Sequence, residues 1–210
     1  MSRSRTVAVG LAAGAVLAMS LVGCAKAVSG TPLAASHPTT HSTPTTQPSG
    51  SGGSGGNTQA SQFCSNITAS MVQQAFGVSG AHITPGQQQD TNGVSAVSCL
   101  ISTQGGPGAI GINVIAFNFA GQNGVTPQSV LQNGQDQLSK SGNASNFQTQ
   151  SKIGSSDGAF SYSVTAQGST GFGVYAAKNL QGNTVAIDIT AVGAVQLAQV
   201  LSFANVIDTN

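Results

Sequence analysis

The sequence predicts an α+β fold, in which an antiparallel sheet of about five strands packs helices on one face to form a two-layer sandwich. All eight Phe and both Tyr lie at or after Phe63, so one part of the chain holds the material of a core. In that part, runs rich in β-formers are joined by short turn-like segments, and three other runs have helical spacing. Strands that follow one another without intervening helices are typical of α+β domains rather than of doubly wound parallel sheets.

The first helix is predicted between Thr68, a favoured N-cap, and Gly77, a favoured residue just beyond a helix C-terminus. Its apolar stripe consists of Met71, Val72, Ala75 and Phe76. Two β-rich runs follow at 94–103 and 109–119, and the turn-like QGGPG between them predicts a hairpin. His82 lies in the Gly- and Pro-containing SGAHITPG, which predicts an exposed loop.

A second helix is predicted with Thr126 as N-cap, Pro127 at its first position, Lys140 in its last turn and Gly142 just beyond it. Its apolar positions are Val130, Leu131 and Leu138. Gly134 opposes this helix by about 1 kcal/mol relative to alanine.

Three strands at 158–166, 171–179 and 183–191 alternate with period two, and their short connections predict an antiparallel meander. A closing helix is predicted from one stripe made of Ala194, Leu197, Ala198 and Leu201. In the three strands, one register is apolar and is expected beneath the helices: Phe160, Tyr162, Val164, Phe172, Val174, Ala176, Val185, Ile187 and Ile189.

The opposite register is rich in hydroxyl groups and contains Ser161, Ser163, Thr165, Tyr175, Thr184, Asp188 and Thr190. One interpretation is a plain solvated sheet face. The other is a polar binding face, on which Tyr175 is a contact residue and Asp188 accepts hydrogen bonds from a sugar or a protein partner. Composition does not choose between them.

The N-terminus has the layout of a secretory signal, because Arg3 and Arg5 precede an uncharged Gly- and Ala-rich run that extends to Gly23. The following residue is Cys24, and the stretch LVGC resembles the lipobox of bacterial lipoproteins. This resemblance implies cleavage before Cys24 and attachment of acyl chains to it. Two or three such chains hold a protein at a membrane.

The segment 24–61 is rich in Ser, Thr, Pro and Gly and predicts a flexible tether, with residues 62–210 forming the globular domain. If Cys24 carries lipid, Cys64 and Cys99 are the two thiols left to pair in an oxidising compartment. A structural disulfide is expected rather than a redox site, because the sequence contains no C-x-x-C motif.

A second resemblance follows from FCSNITASMVQQAFG, from VSCLIS about 35 residues later, and from IGSSDGAFSY with its strands and C-terminal helix. Together they resemble the small lipid-anchored domains of mycobacteria and related actinobacteria, many of unknown function, and the extracytoplasmic sensor domains of receptor kinases. The resemblance implies a two-layer α/β sandwich with one disulfide and no catalytic residues. Leu100 stands where an aromatic residue is expected after the second cysteine.

The domain contains few residues for catalysis: five Asp, no Glu, three Lys, no Arg and the single histidine His82. An enzyme would need His82 to meet Asp157 or Asp188 in a cleft. No metal motif occurs and no cofactor is expected. A domain with more acidic than basic residues is not expected to bind nucleic acid.

The sequence therefore predicts a non-enzymatic binding or sensory module, held by its lipid on the extracytoplasmic side of the cell membrane, that meets an envelope lipid, glycan or protein. The alternatives are a lipid carrier with a cavity lined by Phe117, Phe119 and Phe147, and an accessory envelope hydrolase.

Overall fold

The structure is a computed structural model that describes residues 56–103, 108–166 and 168–208. The predicted signal 1–23, the lipidation site Cys24 and the tether as far as residue 55 lie outside the described residues. The elements in chain order are α1 (Gly56–Ser65), α2 (Ala69–Phe76), β1 (His82–Thr91), β2 (Val94–Ser102), β3 (Ile110–Asn118), α3 (Pro127–Lys140), β4 (Ala144–Gln150), β5 (Gly158–Ala166), β6 (Ser169–Leu180), β7 (Asn183–Gly193) and α4 (Leu197–Asp208).

The strands form a seven-stranded sheet in the order β1-β2-β3-β7-β6-β5-β4, and every pairing is antiparallel. The antiparallel sheet is confirmed, but the expected number of about five strands is too low. The prediction omitted the two edge strands, β1 and β4. Each of them contains a register shift that breaks its alternation, between Pro85 and Gln88 in β1 and between Ser145 and Gln148 in β4.

The sequence contains one local signal for the hairpin of β1 and β2, the pair Asn92-Gly93. Asn92 and Gly93 join β1 to β2 with φ angles of 51° and 77°. Asn-Gly is the favoured pair for a two-residue hairpin turn that needs two positive φ angles. His82 is exposed, as expected, but it begins a strand rather than lying in a loop.

Helices cover both faces of the sheet, so the prediction of a two-layer sandwich with helices on one face is wrong. Helices α1, α2 and α4 pack on one face, which we call the α4 face. Helix α3 packs on β4, β5, β6 and β7 from the other side, which we call the α3 face. Strands β6 and β7 carry buried apolar side chains in both registers, as a sheet covered on two sides requires.

The pairing also corrects the predicted grouping of side chains. Phe160 lies opposite Tyr175, and Tyr175 lies opposite Asp188, so all three are on the α3 face. Val174 pairs with Ile189 on the α4 face. Alternation within a strand predicts that it has two different sides, but only the register between strands decides which sides share a face.

The helices α2 and α3 match their predictions. Thr68 and Thr126 accept hydrogen bonds from backbone amides at their N-caps, and Gly77 ends α2 with a φ of 70°. Helix α1 was missed: it begins at Gly56, inside the segment assigned to the tether, and buries Ala60 completely. The segment is mostly polar and has no clear apolar stripe, so its sequence does not predict a helix.

Helix α4 is confirmed, but only part of its predicted stripe is: Leu201 packs against the core, whereas Ala194 lies before the helix. Ala198 is exposed, and the buried side consists of Val200, Phe203 and Ala204. The helix begins only at Leu197, so the stripe that contacts the sheet starts further along the chain than the predicted one.

Candidate functional site

A solvent-open groove of about 770 Å³ lies on the α4 face between two of its helices. Helix α1 contacts β1 and β2, whereas α4 contacts β6 and β7, and the middle of the sheet lies between them. The floor of the groove is one row of facing residues on four adjacent strands, Val97, Ala116, Ile187 and Ala176.

The groove exists because the sheet is wider than the helices that cover it. Helix α1 lies over β1 and β2 and α4 lies over β7 and β6. Their axes are therefore about three strand spacings, or about 14 Å, apart, which is more than the diameter of about 10 Å of a helix with its side chains. Ala116 and Ala176 lower the floor further because their side chains are short. Val97, Ala116 and Ile187 therefore remain half-buried, with Phe63 of α1 on one wall and Ile207 of α4 on the other.

The α1 wall is held in place by a disulfide. Cys64 of α1 is bonded to Cys99 of β2 with a Cα–Cα distance of 5.7 Å, and both cysteines are buried. The predicted pairing is confirmed. It joins the wall of the groove covalently to the strand that carries Val97 on its floor.

The charge in the groove is concentrated at one end. Among the described residues that line it, Lys178 is the only charged one. Lys178 lies opposite Val185, in a row next to the apolar floor, and its Nζ donates a hydrogen bond to Ser155 Oγ at 2.9 Å. The same row continues through Asn118 and Ser95, so this side of the groove is polar.

The two residues predicted for a polar binding face lie on the opposite side of the sheet and are buried. Tyr175 is 7% exposed and Asp188 is 4% exposed, because α3 covers them. Tyr175 stacks on Phe160 with ring centres 5.4 Å apart. An added Cβ at Gly134 of α3 would stand 3.0 Å from Tyr175 Cζ, so this glycine allows the helix to approach the ring. The expected solvated, hydroxyl-rich face therefore does not form.

Asp188 takes part in a buried hydrogen-bond network. The Tyr162 hydroxyl donates to Asp188 Oδ1 at 2.7 Å and lies 2.9 Å from Thr190 Oγ1. Burial raises the pKa of Asp188 to about 6, and the hydrogen bond from Tyr162 opposes that rise. Burial also raises the pKa of Tyr162, which keeps its hydroxyl protonated as a donor. The network cross-links β5 to β7 beneath α3.

The other predicted arrangements do not form either. His82 is exposed on β1, three strand spacings across the sheet and four residues along it from Asp188 on β7, a separation of about 20 Å. Asp157 Oδ2 accepts a hydrogen bond from the backbone of Asn179 instead of meeting a histidine. Phe117, Phe119 and Phe147, predicted to line a cavity, belong to one aromatic cluster on the α3 face, whose neighbouring ring centres are 5.4 to 6.4 Å apart. Phe117 also borders the groove.

Two further properties concern the described part of the chain alone. Within 56–103, 108–166 and 168–208, no three His, Cys, Asp or Glu side chains come together as a metal site. None of the helices in those ranges is both long and apolar enough to cross a bilayer.

No protein-family model and no curated protein matches this chain. Two solved structures are similar to it. The extracellular domain of PknH from Mycobacterium tuberculosis is 15% identical with a TM-score of 0.47, over 73% of this chain and 94% of that one. LpqN, described as involved in cell envelope biogenesis of Mycobacterium tuberculosis, is 15% identical with a TM-score of 0.34, over 62% of this chain and 89% of that one. Both are mycobacterial extracellular or envelope proteins, and likeness at this level does not assign the chain to a family.

The residues of the groove were not singled out by the sequence. Ile187 was placed correctly on a helix-covered face, but alternation carries no information about gaps between helices. The one usable signal was the pair of alanines at positions where neighbouring strands carry larger apolar residues.

Proposed function

We propose that this protein is an extracytoplasmic lipoprotein whose domain binds a ligand of the cell envelope in the groove between α1 and α4. The observation that carries the proposal is an open groove of about 770 Å³ with an apolar floor and a disulfide-fixed wall. Ligand sites are typically concave, mostly apolar and of a few hundred to about 1,000 Å³, with few polar groups.

Binding is better supported than catalysis. The described lining contains a single lysine and no carboxylate or histidine that could exchange a proton with it. The single histidine of the domain and its buried carboxylate do not meet, because His82 lies on the edge strand β1 and Asp188 is buried under α3 on β7. A lipid carrier is a second form of the same proposal, because the floor that would contact an alkyl chain is apolar.

The location follows from the predicted lipobox together with the disulfide. A disulfide between two buried cysteines is typical of proteins that fold in an oxidising compartment. We propose that acylation at Cys24 anchors the protein at the membrane, with the domain on the extracytoplasmic side and no nucleic-acid partner. A C24S variant is expected to lose the acyl mass and to leave the membrane fraction.

The test is native mass spectrometry of the full-length protein purified from membranes of cells that export and acylate it. We expect wild type to retain a ligand and Ala116→Trp, which fills the floor of the groove, to lose it. Leu100→Trp is the matched control, because Leu100 is 46% exposed on the α3 face and a tryptophan there leaves the groove open. Equal retention by both variants would contradict the assignment of the ligand to the groove.

A further inference from the structure

We propose a second binding site, separate from the groove, that takes a neutral saccharide at the β4 edge of the sheet. It is a pocket of about 320 Å³ on the α4 face, and none of its lining residues lines the groove. The side chains that face it come from β4, β5, β6 and the start of α4: Asn146, Gln148, Ser161, Ser163, Phe172 and Leu197.

The pocket exists because α4 does not extend to the edge of the sheet. Helix α4 packs mainly on β6 and β7, so β5 and β4 lie beyond it on the α4 face. Leu197, the first residue of α4, and Phe172 of β6 are both half-buried and form an apolar wall. Ser163 pairs with Phe172 and therefore shares its face, and together with Ser161 it forms a hydroxyl-lined floor beside this wall.

The bulge in β4 brings an additional amide to the pocket. Between the paired positions Ser145 and Gln148, β4 has two residues where β5 has one. One of the two, Asn146, has a left-handed φ of 53°, a conformation that asparagine tolerates better than most residues. Its Nδ2 donates a hydrogen bond to Ser163 Oγ at 3.3 Å. The amide of Asn146 therefore lies on the same side of the sheet as Gln148.

One buried hydroxyl of the floor has a hydrogen atom left to donate. Ser161 is 1% exposed, and its Oγ accepts a hydrogen bond from Gln150 Nε2 at 2.8 Å. Within the described part of the chain, no group accepts the proton of this hydroxyl. A buried donor without an acceptor is unfavourable. A ligand oxygen at the bottom of the pocket would satisfy it.

The chemistry of the lining favours a neutral sugar. Among the described residues of the lining none is charged, so no side chain there pairs with a phosphate, a carboxylate or an ammonium group. Amides and hydroxyls both donate and accept hydrogen bonds, as the hydroxyls of a sugar do. The wall of Phe172 and Leu197 suits the apolar C–H face of a pyranose ring. The volume lies at the lower end of the range of ligand sites, about 300 to 1,000 Å³.

A peptide strand fits this edge less well than a sugar. A strand that adds to a sheet edge needs a regular row of free backbone groups. The register shift between Ser145 and Gln148 interrupts that row in β4.

The experiment follows backbone amide NMR shifts of the full mature chain with C24S, which removes the anchor. The neutral probes are methyl α-D-glucopyranoside, methyl α-D-mannopyranoside and methyl β-D-galactopyranoside, and the charged probes are D-glucuronate and D-glucosamine. Each is titrated into the range of tens of millimolar. The variants are Ser161→Ala and Gln148→Ala, and the matched control is Gln89→Ala, an exposed glutamine on the opposite edge strand.

We expect at least one neutral glycoside to shift the amides of 146–148 and 161–163 saturably, to leave the groove floor unchanged, and to bind more tightly than either charged sugar. Ser161→Ala and Gln148→Ala should each weaken binding about three- to tenfold, as the loss of one hydrogen bond implies. Gln89→Ala should not change the affinity. Because Gln148 is exposed, its variant tests the site even if Ser161→Ala does not fold.

The saccharide site is refuted if none of the three neutral glycosides shifts these amides, or if both variants bind like wild type. Tighter binding of a charged sugar would contradict the neutral class. Shifts along the whole of 144–150 that grow with protein concentration, without any sugar, would assign this edge to a second copy of the chain and also contradict the proposal. All of these outcomes are independent of the groove, which Ala116→Trp tests.

Discussion

Asp188→Asn is expected to stabilise the protein at neutral pH, although it changes a buried residue with a short hydrogen bond. Asp188 is 4% exposed, and burial raises its pKa from the ordinary value of 3.8 to about 6. Burial therefore makes the charged carboxylate less favourable, relative to the neutral acid, in the folded chain than in the unfolded chain. Asparagine is neutral at every pH, and its Oδ1 can still accept the hydrogen bond from the Tyr162 hydroxyl.

The sign of the pH dependence follows from proton binding in the two states. Below about pH 3 the carboxyl is protonated in both the folded and the unfolded chain, and its contribution to stability is fully present. As the pH rises toward 6, the unfolded chain loses this proton first, so the free energy of unfolding falls. The difference of about two pKa units corresponds to a loss of about 3 kcal/mol above pH 6.5.

Urea unfolding of wild type and Asp188→Asn between pH 3.5 and 7.5 tests this reasoning. The difference between the two curves should grow across the window from about pH 4 to 6.5, to at most about 3 kcal/mol, since one amide hydrogen-bond donor must be accommodated. Asp136→Asn on the exposed surface of α3 is the matched control and should follow wild type. A constant difference over this window, or a wild type that gains stability relative to Asp188→Asn as the pH rises, would refute the burial argument.

Three further outcomes are expected. Gly134→Ala should destabilise the protein by up to about 2 kcal/mol, because crowding of the Tyr175 ring by the new Cβ, about 1 to 3 kcal/mol, exceeds the gain of about 1 kcal/mol in helix propensity; a gain in thermal stability would contradict that contact. Cys64→Ser together with Cys99→Ser should lower the free energy of unfolding by about 4 kcal/mol and remove hydrogen-exchange protection from α1 before α3; equal loss in both helices would argue against a local clamp. Thr126→Ala should cost about 1 kcal/mol in urea unfolding, and Thr126→Ser should restore it, since the hydroxyl accepts from Ser129 N.

The elements with strong local signals could be predicted, and those without them could not. Thr68, Gly77, Thr126 and Pro127 mark helix ends through backbone hydrogen bonding within a few residues, so α2 and α3 were predictable. The strands β1 and β4 carry bulges, and α1 is polar, so their patterns are weak without their neighbours.

The position of Tyr175 and Asp188 was the main error about the candidate site. Each strand alternates, and Asp188 is followed and preceded by apolar residues, which favours a polar residue on a solvated face. In the structure, α3 covers that face, and Tyr162 satisfies the carboxyl group inside the protein. A single sequence does not show that Asp188 on β7 accepts a hydrogen bond from Tyr162 on β5.

The sequence by itself determined the antiparallel sheet, the ends of two helices and the Cys64–Cys99 pair, because these depend on alternation, capping and the chemistry of thiols. Only the tertiary structure decided which strand sides share a face, that helices cover both faces, and that α1 and α4 leave a groove over Ala116 and Ile187. The physical reason is that register and helix placement arise from contacts between residues far apart in the chain, whereas the predicted features arise from residues close together in it.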